Sequence, residues 1–103
     1  MRKVAACKIY FSSHDYLANQ ILAIENSRVV SIKELNQEEA MTEWMQGVIV
    51  LSNNWHIDTK QITAISDFYP LKIDKDKDVF AWHVPHIESE TGYIVNTGIT
   101  IIS

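Results

Sequence analysis

Directly after Gly47 the chain runs Val48-Ile49-Val50-Leu51, four apolar residues with no polar break. A short continuous run of this kind suits a β-strand buried on both faces. Elsewhere a period of two dominates. Residues 3–11 alternate, with Ala5, Cys7, Ile9 and Phe11 on one side and Lys8 and Tyr10 on the other. That is the pattern of a half-buried strand, and it predicts that Cys7 lies on the apolar side. Ser12, Ser13, His14 and Asp15 then make a polar break, before residues 20–25 and 28–33 resume the strand pattern. The pair Asn26-Ser27 between them reads as a tight hairpin turn, since Asn tolerates positive φ.

Two stretches change period. Asn36 with Glu39 forms a capping-box pattern, Ala40, Met41, Trp44 and Met45 share one helical face, and Gly47 is placed to end it. The spacing predicts a short helix over 37–46. Asp58 with Gln61 repeats the capping pattern, Ile62, Ile65 and Phe68 keep helical spacing, and Pro70 stops the segment, which predicts a second helix over 59–68. The remainder returns to strands. In 79–84, Phe80, Trp82 and Val84 face opposite to Val79, Ala81 and His83, and 93–95 and 99–102 flank Asn96-Thr97-Gly98 as a hairpin would. The sum is a mainly β, α+β domain, a small sandwich or barrel-like fold of six or seven short strands with two short helices.

The chain of 103 residues has room for one domain, 1–103. With 47% apolar and 21% charged residues, and only 3 Gly and 2 Pro, it belongs with globular rather than disordered or collagen-like chains. Nine Lys and Arg against thirteen Asp and Glu leave a net charge of −4 with no basic stripe, so nucleic acid is not an expected partner. No apolar run approaches the roughly 20 residues that span a bilayer, and no membrane association is expected. The first residues, MRKVAACKIYF, are broken by Lys8 and lack a small-residue cleavage site, so no leader is expected. A single Cys7 cannot form an internal disulfide, which fits a reducing cytoplasm.

The candidate sites each compete with a plainer reading. His56, His83 and His86 are weak metal candidates. Zinc needs three or four converging ligands, and the His83/His86 spacing across Pro85 does not ensure convergence, so surface or core histidines are the better account. Asp74, Asp76 and Asp78 imitate the start of an EF-hand loop, but Val79 stands where Gly is needed and Pro85 where Glu is needed. A solvated loop is expected there. Cys7 as a nucleophile would need exposure and a neighbouring base, and its expected apolar position argues for packing. With three Gly, no phosphate cradle is available, and no cofactor is expected. Trp44 and Trp82 are expected in the core. Trp55, in Ser52-Asn53-Asn54-Trp55-His56, is a candidate anchor for a partner together with His56, with packing of a lid over the core as the alternative.

The starting strand MRKVAACKIYF, the hairpin NQILAIENSRVVSI and the segment TEWMQGVIVLS are similar, over about residues 1–54, to the N-terminal β-segment of amidohydrolases of the cytosine deaminase and chlorohydrolase type. In that family the segment builds a small β-sandwich, the composite domain, beside a metal-binding barrel. Here Leu51-Ser52 stands in place of the family's Pro-Gly, and NNWHID offers His56 without a His-x-His pair. A barrel needs roughly 250 residues, against 49 after Asn54. The resemblance therefore implies the sandwich part without its chemistry. It leads to a non-catalytic domain acting through protein contacts, first of all as a homodimer. The alternatives are an accessory subunit docking onto a separate hydrolase barrel or another enzyme through Trp55, and a small metal-dependent hydrolase using the three histidines.

Overall fold

The computed structural model describes residues 1–34, 42–68, 73–74, 76–88, 91, 93–95 and 97–103. It is mainly β: strands β1 (Arg2–Ala6), β2 (Lys8–Tyr10), β3 (Tyr16–Leu17), β4 (Gln20–Glu25), β5 (Arg28–Glu34), β6 (Thr42–Trp44), β7 (Val48–Ser52), β8 (Phe80–Val84) and β9 (Thr100–Ile101). Two mixed sheets form, in the orders β5-β4-β1-β6 and β3-β2-β7-β8-β9, and neither closes into a barrel. Among the described residues nine strands stand where six or seven are expected: the first divides into β1 and β2, and β3 and β6 are added ahead of β4 and β7. β1 continues into β2, β3 into β4, and β6 into β7, so each contributes to both sheets. Strands that change sheet at a bend are how two packed sheets make corners.

Where the bends fall decides several side-chain directions. Cys7 is the corner between β1 and β2, and it is exposed, not packed as the unbroken alternation predicts. The corner shifts parity: Val4 and Ala6 reach the inner core before it and Ile9 after it. Asn19, at φ 56°, marks the bend between β3 and β4. Gly47, at φ 86°, ends the bend between β6 and β7. It does not end a helix, because residues 42–44 of the expected helix over 37–46 form β6, running parallel to β1 with Val4 opposite Glu43. Trp44 is consequently 56% exposed at a sheet edge, where the helical spacing placed it in the core. Pairing with β1 has overridden a weak local preference. Residues 37–41 of that expected helix lie outside the described residues.

The expected helix over 59–68 is two 3-10 turns, Thr59–Gln61 and Ile65–Phe68. Asp58 does cap the first, its carboxylate accepting the Lys60 N–H at 3.1 Å. The expected hairpin over 93–102 does not form. Residues 93–95 bond instead to 86–88 and to Thr63, while β9 pairs with β8. The hairpin at Asn26-Ser27 is present, with both residues at positive φ as a type I′ turn requires.

β7 is buried along its whole length and explains how so short a chain builds two cores. Ile49 and Leu51 face the other sheet, meeting Val4, Leu22 and Ile24. Val48 and Val50, with Trp82 and Val84 of β8, face the opposite way into a cover of Ile62, Ile65, Phe68, Ile94 and Ile99. Trp82 is in the core as expected. A radius of gyration of 12.7 Å matches a single compact unit of this length.

Candidate contact surface

β5 is the terminal strand of its sheet, and its sequence, RVVSIKE, is more apolar than an edge exposed to water requires. Val30 is 50% and Ile32 42% exposed. Ile32 stands opposite Leu22, on the inner face of the sheet, yet the second sheet does not reach across to cover it. The strand closes against the second sheet only at its start. There the Val29 N–H donates to the Val79 carbonyl at 2.8 Å, and Arg28 lies 3.4 Å from Asp78. The register shifts just after this point, between the pairs Ala23/Ser31 and Ile24/Val29, which leaves Val30 as the extra residue of a bulge.

Beyond the bulge the two sheets diverge around a cleft of about 470 Å³. Val30 and Ile32 form one wall, Phe11 just after β2 and Leu17 of β3 another, and Ile73 and Val79 a third. Buried Leu51 lies at its floor. Ser31 is the one polar residue lining it among the described residues, but it alternates with Ile32 and stands beside Ile21, Ala23 and Lys33 on the sheet's other face. The cleft was not foreseen from the sequence. Its signal was Val30 and Ile32, in a strand read correctly but assigned no open face.

Trp55, the expected anchor, is 66% exposed, and the exposed His56 ring lies tilted beside it at 5.7 Å. Its backbone is held from below: the Trp82 indole N–H donates to the Asn54 carbonyl at 3.0 Å, and the Asn54 N–H to the Ser52 hydroxyl at 3.0 Å. Trp55 therefore does not pack as a lid over the core. His83 Nε2 donates to the Gln46 carbonyl at 2.6 Å, and His86 is exposed beyond Pro85. Among the described residues no three His, Cys, Asp or Glu side chains stand close enough to hold a metal ion.

The 74–78 loop is exposed at Asp74, Asp76, Lys77 and Asp78. Asn53, unremarked in the sequence, organises it. Its amide donates to the carbonyls of Asp74 and Asp78 at 3.0 and 2.9 Å, and its side-chain oxygen accepts the Asp74 N–H at 2.7 Å. Among the described residues two carboxylates sit below their ordinary pKa. Glu43 is held there by its hydrogen bond from Arg2, at 2.6 Å. Asp67 is held there by the Thr63 N–H first, then by the Ala64 N–H and the Thr63 hydroxyl. Neither belongs to the cleft.

Among the described residues no helix is long and apolar enough to cross a membrane. Compared with protein-family models, with curated proteins and with solved structures, the chain matches none.

Proposed function

We propose that the chain is a non-catalytic β domain that acts through protein contacts, and that its first partner is a second copy of itself pairing along β5. The observation that carries this is the half-exposed Val30 and Ile32 on a terminal strand. Terminal strands are templates for pairing, and a large apolar residue at such an edge is a liability unless covered. The bulge and the Val29–Val79 bond confine the accessible stretch to its second half, which favours a closed two-fold pair over an open fibre. This reading agrees with the likeness of residues 1–54 to a domain that covers another domain and performs no reaction. It has the protein work in the cytoplasm, without nucleic acid, with the exposed Cys7 kept as a thiol.

A second reading, docking onto another enzyme through Trp55 and His56, is favoured by the exposure of Trp55 on a tethered backbone. Size-exclusion chromatography with light scattering at micromolar concentration separates the two. Self-association predicts twice the chain mass of 11.8 kDa, a monomer for Ile32→Lys and an unchanged dimer for Trp55→Ala. A monomeric wild type, or an Ile32→Lys variant that remains dimeric, overturns it. A dimer lost on Trp55→Ala moves the contact to the Trp55 loop.

A further inference from the structure

We propose that the cleft beneath β5 is a binding site for one uncharged apolar small molecule. This goes beyond the self-association reading, with which it shares Val30 and Ile32: pairing uses the backbone edge of β5, whereas the cleft is a hollow on the strand's inner face. Three observations carry it. The site is concave and about 470 Å³ in volume, within the range of small-molecule pockets. Its walls come from separate parts of the chain, Phe11 and Leu17, Val30 and Ile32, Ile73 and Val79, which converge on a buried floor at Leu51. No charged residue lines it among the described residues, and its walls are otherwise apolar. A two-fold contact through the hollow itself would set two concavities face to face and leave a void, so a convex guest fits where a second copy does not.

The lining selects the chemistry. A carboxylate or sulfonate in this cleft would lose its hydration with no cation among the described lining residues to meet it, while an aromatic or aliphatic body loses nothing. The expected guest is an aromatic or branched aliphatic compound on the order of 15 non-hydrogen atoms that carries no charged group.

Titration with the uncharged fluorophore N-phenyl-1-naphthylamine tests this. Saturable binding of one molecule per chain is expected, weakened at least about tenfold by Leu17→Trp, which fills the cleft, and by Leu17→Lys, which places a charge in its wall. The sulfonate analogue 1-anilinonaphthalene-8-sulfonate should bind at least about tenfold more weakly. The thermal transition and oligomeric state of each variant are measured alongside, so that a variant that fails to fold is set aside in favour of the other. The proposal is overturned by binding that does not saturate, by binding that both folded variants leave unchanged, or by equal affinity for the sulfonate. If Leu17→Trp instead disperses the dimer, the occupant of the cleft is a second chain.

Discussion

Asn26 and Ser27 both adopt positive φ, 53° and 65°, and only one of them is suited to it. Asn enters this region at low cost, whereas Ser gives up part of the hairpin's stability to do so. Ser27→Gly is therefore expected to raise stability by about 0.5–1 kcal/mol, read as a higher urea midpoint at unchanged slope. Asp67 shows the same economy in a cap. Its carboxylate reaches back to the N–H groups of Thr63 and Ala64, at 2.8 and 3.0 Å, at the start of the second 3-10 turn. Because these bonds lower its pKa in the folded state, their stabilisation is complete above its ordinary value of 3.8 and is lost as pH falls through the folded value. Asp67→Ala should cost about 1 kcal/mol at pH 7 and progressively less below pH 3.8. Urea unfolding at neutral and acid pH checks this, and an equal cost at both would contradict it.

The strands with one uninterrupted pattern were legible in the sequence. β4 and β5 with their turn, the doubly buried β7, and the two faces of β8 follow directly from periodicity, because each keeps one register throughout. What periodicity cannot carry is a corner. At Cys7 the chain turns into the other sheet and its inward parity shifts, so a residue on the apolar side of the pattern reaches solvent. Thr42, Glu43 and Trp44 have helical spacing with their neighbours but a strand's partner in β1, some forty positions earlier, which no local window contains. The cleft was hidden for the same reason. Its walls meet only once β5, the β2–β3 hairpin and the loop before β8 are in place. Gly47 tests the bend between β6 and β7. A Cβ there would collide with the Val84 carbonyl oxygen, whereas at Gly98 the nearest atom is the Pro85 Cγ at 3.1 Å, with φ positive at both. Gly47→Ala should cost more than about 2 kcal/mol or abolish the cooperative transition, and Gly98→Ala about 1 kcal/mol. Comparable losses at the two sites in thermal unfolding would show that the close backbone approach at Gly47 is not what requires glycine.

A domain of this size buries only roughly 60–68% of its unfolded surface, and this one divides that burial between two cores that share β7. The second core has cover along its length, from the 3-10 turns and from Ile94 and Ile99. The first stays open at one side, where β5 ends its sheet and the cleft begins. Pairing of two copies there would add strand hydrogen bonds and shelter Val30 and Ile32, each worth about 1 kcal/mol for the half of its surface now in water. Amide hydrogen exchange at Ser31 and Ile32, followed as the protein is diluted from high micromolar to nanomolar concentration, tests this most directly. The account predicts slow exchange for the outward-facing amide of this pair in the concentrated sample, becoming fast on dilution while the β7 amides stay protected. Exchange at both residues that does not vary with concentration would contradict it.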